Sequence, residues 1–170
     1  MSNYRHDLPQ LKNDLFLTDS GMETFLCFQQ GISLPEFAAF PLMETEDGRE
    51  EIIAYMRRHI QIAVDAGLGF VLETPTWRAN RDWGEKLGYD RDRLACANRR
   101  SVEFMVGLRD AHETARTKMV ISGNIGPRGD GYAPEDIMEP DEAQEYHAEQ
   151  IRAFAESGAD LVTAMTMTHV

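Results

Sequence analysis

The chain has 170 residues, 42% of them hydrophobic, and a formal charge of −12 from 29 acidic against 17 basic side chains. A domain of this length hides about two-thirds of the surface its unfolded chain exposes, while the negative field repels phosphate backbones and anionic lipid. Nucleic acid and membrane are therefore not expected partners, and with no apolar run near the ~20 residues that span a bilayer, and no apolar signal-like segment before Asp14, a cytoplasmic protein is expected.

Leu15–Thr18 is a short apolar run ending at Asp19-Ser20-Gly21, which reads as a first buried strand delivering a polar turn. From Gly48 to Ala66, apolar residues recur at Ile53, Met56, Ile60, Ala63 and Val64 with helical spacing, and Gly67 supplies a stop. Gly69–Thr74 follows as a second strand, apolar at successive positions as expected where both faces are covered. Residues 82 to 117 fit one or two helices with Leu94, Val102, Met105, Val106 and Leu108 as buried positions. Val120–Ile125 reads as a third strand running into Gly126-Pro127-Arg128-Gly129-Asp130-Gly131, a loop that calls for positive φ or close backbone approach. Pro140 opens a helix whose expected buried face is Ala143, His147, Ile151, Phe154 and Ala155, ending near Gly158. Asp160–Met165 is the fourth strand.

Strict alternation of strand and helix predicts a parallel α/β sheet. Polar residues gather just past the strand ends: Asp19, then Glu73 with Thr74 and Thr76, Asn124, and Thr166 with Thr168. In parallel α/β folds that carboxyl edge is where ligands bind. No GxGxxG follows the first strand, so a dinucleotide binder is not expected. Cys27 and Cys96 stand far apart in no CxxC or Cys/His array, and the five histidines are scattered, so free thiols and no metal site of this chain's own are expected. Trp77 and Trp83 flank a loop rich in Arg78, Asn80 and Arg81, which reads as anchored by aromatic burial, with a lid over a pocket as the rival.

Three blocks carry a more specific signal. Leu17-Thr18-Asp19-Ser20-Gly21-Met22-Glu23-Thr24, then Leu72-Glu73-Thr74-Pro75-Thr76-Trp77, then Ser122-Gly123-Asn124-Ile125-Gly126-Pro127-Arg128-Gly129 resemble, in order and spacing, the blocks of the homocysteine S-methyltransferase family. The resemblance spans essentially the whole chain. It implies an α/β fold of (β/α)8 TIM-barrel type, of which residues 1–170 hold about the first four β/α units, the N-terminal half of a homocysteine-binding domain. It also implies methyl transfer from an activated sulfonium or ammonium donor to a thiol such as homocysteine, through a zinc-bound thiolate. The family's zinc-ligating cysteines come from later strands, so zinc ligands are expected beyond Val170 and none within this chain.

Carried over by position, Asp19 resembles the carboxylate that meets the amino group of homocysteine. The backbone amides of Ser20, Gly21 and Met22 would lie near the substrate carboxylate; the family usually has glycine where Ser20 stands. Glu73, Thr74 and Thr76 would line the pocket floor, with pairing of Glu73 to Arg78 or Arg128 as the alternative. Asn124 and the following loop match a Gly-Pro block, a phosphate cradle being the rival that lacks its lysine. After the fourth strand, Met165 stands where many members carry a second carboxylate for the amino group, and the hydroxyls of Thr166 and Thr168 are candidate replacements. The unpaired edge of a fourth strand makes a homo-oligomer or a complementary C-terminal half an expected partner, beside the thiol acceptor and the methyl donor. A catalytically inactive half-barrel acting as a binding or assembly module is the alternative reading.

Overall fold

The structure is a computed structural model describing residues 2–131, 133 and 137–168. Four strands, β1 (Phe16–Leu17), β2 (Gly69–Glu73), β3 (Met119–Ile125) and β4 (Leu161–Ala164), form one parallel sheet in the order β1-β2-β3-β4. β1, β2 and β4 fall within the runs expected from sequence, and β3 begins one residue before its expected start at Val120. Each is followed, before the next strand, by helix: α1 (Met22–Thr24), continued by a π-helical turn (Phe25–Gln29), and α2 (Glu46–Ala66) between β1 and β2; α3 (Arg81–Lys86) and α4 (Arg91–His112) between β2 and β3; α5 (Pro140–Ala155) between β3 and β4.

The sheet has two unlike faces. A Cβ on Gly123 would meet the Phe154 ring of α5, so Gly123, its neighbours in register and alternate positions face the helices. Phe70, Leu72, Met119, Ile121 and Ile125 lie on that side, packed against Met56, Ile60, Val102 and Met105 in the main core. The opposite face carries Val71, Glu73, Val120, Ser122, Asn124 and Thr163, the side that turns to the interior when such a sheet curls into a barrel.

Helix α2 starts where Thr45 accepts the Gly48 N–H at 3.1 Å and stops at Gly67, whose φ of 66° an L side chain adopts only with strain. Its core face includes Met56, Ile60 and Ala63 as expected, and adds Ile52 and Tyr55; Ile53 and Val64 pack at its margin. The segment from 82 to 117 resolves into α3 and α4 because Gly88, at φ 77°, turns the chain, and Asn80 and Asp90 cap the two helices.

For α5 the expected face is a correction. Tyr146, Gln150, Ala153 and Phe154 are buried, whereas Ala143 and His147 are half-buried and Ile151 and Ala155 exposed. Two of the buried residues are polar and engage buried polar groups of the sheet's carboxyl edge, a demand that hydropathy spacing does not register. At the opposite end of the sheet, the buried Asp160 carboxylate accepts the N–H groups of Ile121 and Tyr4 at 2.9 and 2.8 Å and faces the buried Arg109 guanidinium at 3.5 Å. This knot closes the base of β3, β4 and α4.

Candidate functional site

The carboxyl edge of β1 is built by the turn 18–21 and by α2. Gly21, at φ 101°, reverses the chain into α1, and the Met22 side chain inserts into the core, leaving the turn's backbone outermost. Tyr55 of α2 donates its hydroxyl to Asp19 Oδ2 at 2.8 Å and accepts the Ser20 N–H at 3.1 Å. Burial and the adjacent Asp19 charge push the Tyr55 phenol well above its usual range, which keeps it a donor. Asp19 is therefore oriented by a side chain of α2 rather than by the turn's own amides. Ser20 Oγ lies 2.9 Å from His59 Nε2, while His59 Nδ1 lies 3.1 Å from the Tyr55 carbonyl. A carbonyl only accepts, so in the neutral imidazole Nδ1 carries the proton and Nε2 accepts from Ser20.

Glu73 ends β2 on the barrel-facing side and is 4% exposed. Its Oε1 accepts from Thr163 Oγ1 at 3.0 Å, Thr163 in turn lies 2.7 Å from Ser122 Oγ, and Oε2 is buried without a hydrogen-bond partner. Burial pushes this carboxyl up to about 7; the Ser122 and Thr163 hydroxyls pull it down and Asp19 pushes it further up. Among the described residues Glu73 forms no ion pair with an arginine: Arg128 pairs with Asp82 at 2.8 Å and with Glu142, and Arg78 lies over the rings of Trp77 and Trp83 while donating to the Glu36 carbonyl.

Glu23, in α1, is half-buried, and burial pushes its carboxyl up to about 7, its own backbone N–H and Arg78 lowering it and Asp19 raising it. Asp19 raises both Glu23 and Glu73 electrostatically.

Thr74 and Thr76 join the ends of two strands through their hydroxyls. Both are fully buried; Thr74 Oγ1 accepts the Asn124 N–H at 2.9 Å and lies 2.6 Å from Thr76 Oγ1, which donates to the Asn124 carbonyl at 2.8 Å. They tie the end of β2 to the end of β3. Gln150 of α5 reinforces the tie by donating to the Thr76 carbonyl and to Asn98 Oδ1 at 2.8 and 2.9 Å. The backbone of Asn124 is held, while its side-chain Oδ1 is buried without a partner on the same face as Glu73.

Thr166 is likewise engaged: at φ 53°, it accepts Trp77 Nε1–H at 3.0 Å and donates to the Met165 carbonyl at 2.8 Å. Trp77 and Trp83, 8% and 7% exposed, anchor their loop as the aromatic reading expects. The glycine loop after β3 uses close approach instead of positive φ: a Cβ on Gly126 would lie 2.5 Å from the Trp77 carbonyl. A cleft of about 900 Å³ lies on the helix side of β4, bordered by Trp83, Arg128, His147, Ile151 and Ala164 and apart from Asp19 and Glu73.

The residues do not fit a zinc centre. Among the described residues, no three His, Cys, Asp or Glu side chains are grouped to hold a metal ion, and Cys27, in the π-helical turn, and Cys96, on α4, lie on different elements.

A parallel sheet with β/α crossovers and its acids at the carboxyl edge defines a partial (β/α)8 barrel of the TIM-barrel class. The chain belongs to the homocysteine S-methyltransferase family, whose sequence profile matches residues 16–170. The fold is similar to that of the homocysteine methyltransferase MmuM from Escherichia coli. Its metallated form gives a TM-score of 0.69 at 22% identity over 97% of this chain and 58% of that one; its oxidized form gives 0.71 at 19% identity, over 97% and 57%. The chain therefore spans less than three-fifths of those structures. No curated protein sequence matches significantly. Among the described residues no helix is long and apolar enough to cross a membrane.

Proposed function

We propose that residues 1–170 form the N-terminal half of a homocysteine-binding barrel and recognise the amino-acid part of a thiol acceptor for methyl transfer. The observation that carries this reading is the pair of carboxylates at adjacent strand ends, Asp19 oriented by Tyr55 and Glu73 buried with one oxygen unpartnered. A buried carboxylate without a partner is stabilised by a cationic donor, and an α-ammonium is one. Backbone N–H groups of Gly21 and Met22, beside the exposed Ser20, suit the acceptor's α-carboxylate. Asn124 Oδ1 offers a further acceptor, and Thr74, Thr76 and Thr166 hold the strand ends that carry these groups.

In the reaction this serves, the acceptor sulfur forms a bond to the donor's methyl carbon as the carbon–onium bond breaks and its electron pair leaves with the donor. Zinc is the metal that the family resemblance implies for the thiolate; its cysteine ligands would be supplied from outside these residues, and no step here runs through it. The testing experiment is calorimetric titration of L-homocysteine into the chain and its Asp19→Ala variant. A markedly weaker affinity at unchanged unfolding midpoint supports the reading, and equal affinity removes Asp19 from the site.

One observation favours a second reading, in which the chain acts as an assembly module. β1 and β4 each pair with a single neighbour, and Val162 and Met165 stand exposed at β4. Completion of an eight-stranded ring by a second copy or a complementary half predicts a defined oligomer by light scattering, and a folded monomer at micromolar concentration opposes it.

A further inference from the structure

Independently of the acceptor-binding reading, the geometry points to Ser20 and His59 as a nucleophile and its general base, which take an acyl group from an activated ester or thioester onto the Ser20 hydroxyl. Ser20 Oγ lies 2.9 Å from His59 Nε2, within the reach a base needs to take a hydroxyl proton. The base is oriented in turn: its Nδ1 lies 3.1 Å from the Tyr55 carbonyl, and its ring lies against the Tyr55 ring with centroids 4.6 Å apart. The nucleophile is held too, since the Ser20 N–H donates to the Tyr55 hydroxyl at 3.1 Å and that hydroxyl is fixed on Asp19 at 2.8 Å. Nucleophile, base and orienting group thus stand in the order that nucleophilic catalysis requires, with a backbone carbonyl as the third member.

Ser20 is exposed and His59 half-buried, so the hydroxyl is open to a substrate while the base is partly sheltered. The hydroxyls of Ser101 and Ser157 donate instead to the carbonyls of Ala97 and Phe154 at 2.8 and 2.7 Å, groups that cannot take up a proton at neutral pH. In the reaction, Ser20 Oγ forms a bond to the acyl carbon as its proton passes to His59 Nε2. The leaving oxygen or sulfur departs with the electron pair of the broken bond, and the imidazolium gives up its proton to it or to water. Water then bonds to the acyl carbon, one proton passing through His59 to Ser20 Oγ as the acyl–oxygen bond breaks, which frees the carboxylic acid. A leaving group stable as an anion needs no further acid, and this selects activated esters and thioesters over amides.

The test incubates the whole chain with p-nitrophenyl acetate, following nitrophenolate release by absorbance and the acyl adduct by peptide mass mapping. Wild type is expected to carry an acetyl group on Ser20. Ser20→Ala should abolish that adduct, and His59→Gln should slow its formation about a hundredfold, the lower end of what a positioned base contributes. An unmodified Ser20 in wild type, or formation at the wild-type rate in His59→Gln, overturns the proposal. So does an adduct confined to His59, Cys27, Cys96 or a lysine, which marks ordinary side-chain acylation. Circular dichroism identifies a variant that misfolds, and the position of the adduct on wild type then decides by itself.

Discussion

Glu73 links the site to stability through its proton. In the folded chain its carboxyl is pushed from 4.5 up to about 7, chiefly by burial. The folded state therefore holds this proton more tightly than the unfolded chain does. The stabilisation that results is fully present below about pH 4.5 and is lost as pH rises through about 7. At about 1.36 kcal/mol per pH unit, the interval corresponds to about 3 kcal/mol lost between those limits. Glu73→Gln keeps the shape and an acceptor for Thr163 and cannot ionise. Urea unfolding of both proteins at pH 5, 6, 7 and 8 is the assay. The variant should match wild type near pH 5 and gain on it progressively, by about 2 to 3 kcal/mol at pH 8, while losing acceptor affinity. Stability curves that run parallel across this range would refute the assignment of a buried, proton-holding carboxyl to position 73.

Other perturbations address the rest of the scaffold. Asp160→Ala removes the buried one of the two carboxylates paired with the buried Arg109, leaving Asp110 at 3.4 Å, and frees the Ile121 and Tyr4 N–H groups; it should cost about 3 kcal/mol in denaturant unfolding. Gly126→Ala drives a methyl to within 2.5 Å of the Trp77 carbonyl and should lower stability by about 1 to 3 kcal/mol, with Trp77 fluorescence altered. Tyr55→Phe removes the donor to Asp19 and the acceptor for Ser20 N–H; homocysteine affinity should fall several-fold, about 1 kcal/mol, with the far-ultraviolet spectrum unchanged.

Much of this architecture was legible in the sequence because its signals are local. The apolar runs at Phe70–Leu72 and Val120–Ile121 can only be strands covered on both sides, and Gly67 stops α2 at the residue where positive φ is needed. The stretch from Phe25 to Thr45 has no such period: it is a π-helical turn and short 3₁₀ turns held by tertiary packing. The face of α5 was misjudged because Gln150 and Tyr146 are buried for hydrogen bonding, and apolar spacing instead marked Ala143, His147 and Ile151, which border the open cleft.

The candidate site divides the same way. Asp19, Glu73 and Asn124 stand at strand ends, where the alternation of elements already points. Thr74, Thr76 and Thr166 share those ends, yet their hydroxyls are spent on holding loops together, a distinction that depends on partners far along the chain. Tyr55 and His59 were missed as site residues since only the packing of α2 against the β1 turn brings them to Asp19 and Ser20.

The most direct test of the central claim is a crystal structure of the chain with L-homocysteine bound. The account predicts the ligand's ammonium within hydrogen-bonding distance of Asp19 and of Glu73 Oε2, with its carboxylate at the turn 20–22. An ammonium bound elsewhere, with Glu73 Oε2 still unpartnered, would contradict it.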